Sequence, residues 1–281
     1  MMMDRFYRCG GVEIQITMPE EVFYQDERHL QAFAVPSVRL PHVFRFEMVD
    51  VMPEPEGTLL VKTPTFSVYE QNGLNVRYFG SDRARVRVVN DGMDHAVLVE
   101  RSRYRQYVST KTVLECISME HLLARVNGVI LHCSYIDCGG RAILFTAPSE
   151  TGKSTQAELW KQYRGAEIIN GDRAAVRLEG DALVAEGIPF AGSSQYCSNR
   201  SLPLAAVVYL AQAKETSIRS LRGYEAFSRI WEGVSVNTWD KEDMSRVSRI
   251  VQRIAQEIPI YLLSCTPDES AVVALEQMLK E

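Results

Sequence analysis

Residues 141–163 read RAILFTAPSETGKSTQAELWKQY, and this stretch restricts the fold more than any other. An apolar run, Ile143-Leu144-Phe145, predicts a buried strand. It breaks at Pro148 and resumes after Gly152 as an amphipathic helix over 153–163, closed by Gly165. The loop APSETGKST (147–155) nearly meets the pattern G-x-x-x-x-G-K-[ST], with Ala147 in place of the first glycine. Backbone N–H groups turned inward, the positive end of a helix and a lysine together make a cradle for phosphate. Pro148 accounts for Ala147: the residue before a proline is held extended, so the left-handed conformation that demands glycine is not required there. Gly152 is expected where the backbone passes closest to phosphate. Lys153 is expected exposed at the helix start, paired with the β- and γ-phosphates. Ser154 is expected to hold magnesium and Thr155 to support it. The nucleotide-binding residues are therefore Ala147, Ser149, Glu150, Thr151, Gly152, Lys153, Ser154 and Thr155.

The remaining composition narrows the class. The 281 residues suffice for one large domain or two smaller ones. The net charge of −5 shows no basic stripe, which argues against nucleic acid as a partner. No apolar run approaches a membrane span of about 20 residues. The N-terminus MMMDRFYRCGG lacks the apolar core of a secretory signal. The six cysteines show no C-x-x-C spacing, so they are read as buried thiols of a cytoplasmic protein.

Two domains are expected. Residues 1–110 carry short alternating runs, among them VEIQITM (12–18), FRFEMVDV (44–51), FSVYEQ (66–71) and RVRVVN (85–90). They predict an antiparallel β-rich domain whose role the sequence leaves open. Residues 111–127 change to helical spacing, with Gly128 at the expected C-cap, and lead into a second domain over 111–281. There, strand 129–138 and strand 141–147 are joined by Gly139-Gly140 as a hairpin. A short strand (166–170), a second hairpin (173–178 and 183–190) and strand 204–213 follow. Helix 245–258, strand 259–265 and helix 268–280 close the chain. The order predicts an α/β domain with a mixed sheet.

At residues 131–155, LHCSYIDCGGRAILFTAPSETGKST, the chain resembles the catalytic domain of HPr kinase/phosphorylase and its related kinases. Members of that family show a histidine on a strand, a short hairpin, a Gly-Lys-[Ser/Thr] loop and then an acid at a strand end. Here these are His132, the loop, and Asp172 in Ile169-Asn170-Gly171-Asp172-Arg173. The resemblance covers roughly residues 115–281. It implies a fold shared with ATP-dependent phosphoenolpyruvate carboxykinase, ATP and Mg2+ as ligands, homo-oligomers, and transfer of the γ-phosphoryl group to a hydroxyl of a protein, peptide or small molecule. It assigns catalysis to Asp172, His132 and Lys153, and metal binding to Ser154 and Asp172. Many members carry two adjacent acids where this chain has Gly171-Asp172. Read from the residues alone, Asp172 is a proton acceptor, a metal ligand or a turn residue, and His132 is a proton carrier or a core histidine. The turn 187–194, GIPFAGSS, is either a lining of the acceptor side or an ordinary connecting loop. Arg173, Arg200, Arg219 and Arg222 are the cations available to the transferred group. A catalytically inert nucleotide sensor is the alternative to the kinase.

Overall fold

The computed structural model describes residues 1–20, 28–80, 85–103 and 110–280, and divides into two compact units, Met1–Met119 and Glu120–Glu281. In the first unit eight strands form one sheet: β1 (Met2–Cys9), β2 (Val12–Pro19), β3 (His42–Val49), β4 (Thr58–Lys62), β5 (Phe66–Gln71), β6 (Leu74–Phe79), β7 (Val86–Asp91) and β8 (Asp94–Glu100). Their order is β1-β2-β3-β8-β7-β6-β5-β4. Alternation along β2 buries Val12, Ile14, Ile16 and Met18 and leaves the residues between them half-exposed. That is the period-two pattern of a strand with one covered face.

The expectation of an antiparallel domain needs correction: the sheet is mixed. Strand β3 runs parallel to both β2 and β8. The chain between β2 and β3 is long enough for the crossover that parallel neighbours require, whereas the tight turns Gly10-Gly11, Asn72-Gly73 and 92–93 make antiparallel pairs. A short helix, α1 (Arg28–Gln31), lies in that crossover. The helix expected over 111–127 is two helices, α2 (Thr110–Ile117) and α3 (Met119–Arg125). They are separated by Ser118, whose φ of 53° cannot continue a right-handed helix. Asn127 rather than Gly128 takes the left-handed position after α3, with φ 55°.

The second unit is built on β9 (Gly128–Asp137) and β10 (Ala142–Thr146), joined by a turn in which Gly139 and Gly140 both have positive φ. Asp137 Oδ1 accepts the Gly140 N–H at 2.7 Å and fixes that turn. Helix α4 (Lys153–Arg164) follows, ending on Gly165 in the left-handed conformation. Then come β11 (Glu167–Asn170), β12 (Arg173–Glu179), β13 (Ala182–Gly187), β14 (Ser201–Gln212), β15 (Ser217–Leu221), α5 (Gly223–Trp231), β16 (Val234–Ser235), α6 (Lys241–Glu257), β17 (Ile260–Cys265) and α7 (Glu269–Met278). The sheet is mixed, as its element order predicts, in the sequence β10-β9-β12-β13-β14-β17-β15. Strand β14 pairs antiparallel with β13 through Ser201–Pro203 and parallel with β10 through residues 204–209, which closes a ring of five strands.

Successive residues of a strand face opposite sides, and this sheet is covered on both. Ile143, Phe145, Val208 and Leu210 pack with Ala157 and Trp160 of α4 and with Ala271, Val272 and Leu275 of α7. Leu131, Cys133, Leu144 and Val207 pack on the other face with Ile230 of α5 and Val247, Ile250, Val251 and Ile254 of α6. The two-sided burial explains why β9 and β10 read as continuous apolar runs. Helix α6 begins four residues before the expected 245, because Asp240 caps it by accepting the Glu242 and Asp243 N–H groups.

Candidate functional site

The candidate site sits where β10 ends. Thr146 is the last strand residue, and its hydroxyl donates to the His132 carbonyl at 3.0 Å, tying β10 to its neighbour. Ala147 is buried and is not among the residues with positive φ, in keeping with the restraint from Pro148. Left-handed backbone falls instead on Glu150 (φ 64°) and Gly152 (φ 117°). A Cβ on Gly152 would meet nothing within 4 Å, so the glycine answers to its backbone conformation, and the space above it is open. Gln212, at the end of the parallel strand β14, reaches the Glu150 carbonyl at 3.5 Å. Ser149, Glu150, Ser154 and Thr155 are exposed along the loop and the first turn of α4, whose N-terminus has no side-chain cap.

Lys153 is not exposed as expected. It is 8% accessible, and its Nζ donates to the Ala147 carbonyl at 3.0 Å and the Pro148 carbonyl at 3.2 Å. The ammonium is thus held inside the loop by main-chain oxygens. Burial pushes its pKa below the ordinary lysine range, while the charge of Asp172 opposes that shift.

Asp172 enters from the opposite edge of β9. A register shift between Ile168 and Asn170 marks a bulge just before it. Asn170 is fully buried; its Oδ1 accepts the N–H groups of Asp172 (2.9 Å) and Arg173 (3.0 Å), and its Nδ2 donates to Ile188 O at 2.8 Å. This turn aims the Asp172 carboxylate at His132. His132 Nε2 lies 3.6 Å from Asp172 Oδ1, an ion-pair distance beyond hydrogen-bond length. Arg173 Nε lies 3.2 Å from Oδ2. The His132 contact and the Arg173 charge outweigh partial burial and hold the Asp172 carboxyl below its usual range, so it is ionised at neutral pH.

The turn 187–194 is brought onto this carboxylate. A Cβ on Gly192 would stand 2.8 Å from Asp172 Cβ. Phe190 lies under the Arg173 guanidinium, 5.3 Å from ring centroid to Cζ. The place of a second acid is taken: a Cβ on Gly171 would fall 1.9 Å from Ser194 Oγ. Of the other arginines, Arg200 is bound by Asp137 and Glu167, and Arg219 by Glu225; neither is brought to Asp172. Arg222 is exposed ahead of α5. Asn170 was not foreseen as a site residue, although Asn-Gly-Asp between two strands is the sequence signal of such a turn.

Cys9, Cys116 and Cys133 are buried as expected, whereas Cys138, Cys197 and Cys265 are only half-buried, because they lie at strand ends and in a loop. Burial raises the Cys116 thiol to about 12 and pushes Cys133 up as well. Neither is suited to act as a thiolate. Among the described residues no helix is long and apolar enough to cross a membrane.

No protein-family model matches this chain, and no curated protein matches it. Among solved structures, it is similar to the Hpr(Ser) kinase/phosphatase of Coxiella burnetii, with 11% identity and a TM-score of 0.33. The match covers 54% of this chain and 88% of that one, a distant structural relationship.

Proposed function

We propose that the second unit is an ATP-dependent kinase that transfers the γ-phosphoryl group to a hydroxyl of a protein, peptide or small molecule. The observation that carries this reading is the join of β10 to α4. A buried strand ends in a loop with left-handed Glu150 and Gly152, and Lys153 opens the helix with its ammonium turned into the loop. That loop offers main-chain donors and one cation to an anion at a helix N-terminus. Asp172 supports the further step from binding to transfer, because it is an ionised carboxylate positioned by Asn170 and flanked by His132.

The donor set fits magnesium. Ser154 is an exposed hydroxyl on the second residue of α4, and Asp172 is an anion. Ser154 and Asp172 would hold the ion, which neutralises phosphate charge when bound. The protein's own part is positional. Lys153 and the loop amides fix the phosphates, Asp172 accepts the hydroxyl proton, and the 187–194 turn borders the acceptor.

The test is titration of wild type and Lys153→Ala with Mg-ATP by calorimetry. Loss of a charge-assisted contact, about 1.5–3 kcal/mol, lowers affinity about tenfold or more. Unchanged affinity overturns the phosphate-loop assignment. Ala147→Gly is expected to leave ATP affinity unchanged and to cost about 0.5–1 kcal/mol of stability through unfolded-state entropy, read by denaturant unfolding. A large gain in affinity would show that Ala147 impairs the loop.

One observation favours a second reading. Ser194 fills the place of a neighbouring acid, so a single carboxylate serves the site. A nucleotide sensor without turnover would bind Mg-ATP and show no phosphate release or transfer.

A further inference from the structure

We infer that Arg173 and Phe190 form an anion subsite that takes the phosphoryl group in transit, on the Asp172 side of the loop. The inference rests on the kinase reading above. Arg173 is opposite His132 in the β12–β9 ladder, and directly paired residues project from the same face. Both side chains therefore stand beside Asp172. The guanidinium is laid over the Phe190 ring, which fixes its plane while leaving its edge to other partners. Its Nε is buried and lies 3.2 Å from Asp172 Oδ2, an ion-pair contact whose N–H is out of line for a good hydrogen bond. A phosphoryl oxygen arriving between Lys153 and Asp172 gives that N–H a better-aligned acceptor.

The chemistry places the largest demand at this point. The acceptor oxygen forms a bond to the γ-phosphorus as the bond from phosphorus to the β–γ bridging oxygen breaks. The hydroxyl proton passes to Asp172, and ADP leaves with the bridging oxygen. Charge then spreads over the three equatorial oxygens, where a planar guanidinium is well matched. Lys153 reaches the donor side of the phosphoryl group from the loop, and Arg173 reaches it from the acceptor side. Arg200 and Arg219 are paired with Asp137, Glu167 and Glu225, whereas the carboxylate that Arg173 meets is Asp172 itself.

The experiment measures affinity for Mg-ADP with and without aluminium fluoride, a planar mimic of the group in transit, in wild type, Arg173→Met and Phe190→Leu. Wild type is expected to bind the fluoride complex more tightly than ADP alone. Arg173→Met should bind Mg-ADP within threefold of wild type and lose about tenfold or more of the gain from fluoride, the scale of one charge-assisted bond. Phe190→Leu keeps the cation but frees its plane, and should lose part of that gain while retaining ADP affinity. The inference is overturned if Arg173→Met keeps the whole gain, or if wild type binds ADP and shows no gain. Absence of Mg-ADP binding in folded wild type overturns the kinase reading itself, a separate outcome.

Discussion

Asp172→Asn is expected to bind Mg-ATP nearly as well as wild type and to turn over about a hundredfold more slowly, the usual reach of a positioned general base. The amide keeps the size of the carboxylate and removes its charge and its capacity to accept a proton. The turn itself should persist, since it is held by Asn170 Oδ1 on the main-chain N–H groups of residues 172 and 173, and not by the Asp172 side chain. The measurement is ATP affinity beside phosphate release or transfer, with and without magnesium. If Asp172 acts chiefly on the metal, the magnesium dependence of binding weakens too. Turnover within a factor of two of wild type would remove Asp172 from the chemistry and with it the strongest support, outside the loop, for the kinase reading.

Gly171→Asp, which would supply the second acid, is expected to destabilise the protein. Its Cβ would fall 1.9 Å from Ser194 Oγ and 2.7 Å from Ser194 Cβ. Rotating the hydroxyl away clears only the first clash, so the 192–194 turn must shift. Overpacking of this kind costs about 1–3 kcal/mol. Ser194→Gly in the same chain removes both atoms and should restore most of the loss, with the two substitutions coupled because they share one space. Denaturant unfolding of the single and double variants checks this. A fully stable Gly171→Asp would show that the 192–194 turn does not pack on residue 171.

Strands in both units were legible where their pattern is set by burial. Alternation in β2 and continuous apolarity in β10 both report how many faces are covered. Strand β15, Ser217–Leu221, escaped notice because it lies at the sheet edge with mostly exposed, polar residues. Helix α5 begins with Gly223 and Tyr224, neither a strong helix start, and its stability comes from Ala226 and Ile230 packed against the sheet. Within the candidate site, the loop and Lys153 are read from spacing, whereas the role given to Asp172 rests on the resemblance at residues 131–155 and the strand end after it. The occupation of the Gly171 side by Ser194 could not be foreseen, since it depends on two residues brought together only by the fold. Nor could the burial of Lys153 be read, because the carbonyls that hold it belong to main chain, which every sequence has.

Strand β9 has a consequence for the spacing of the site. Its second half is gripped on one edge by β10 and on the other by β11, and its first half by β12 and β16. The 147–152 loop hangs from the end of β10, and Asp172 hangs from the bridge between β11 and β12. The two halves of the site are thus separated by two inter-strand steps, about 9–10 Å, set by main-chain hydrogen bonds alone. Such a gauge is indifferent to side-chain identity. Substitutions in the covering helices can alter how the rim is lined, but the gap across which loop and carboxylate face each other keeps its width as long as the ladder holds.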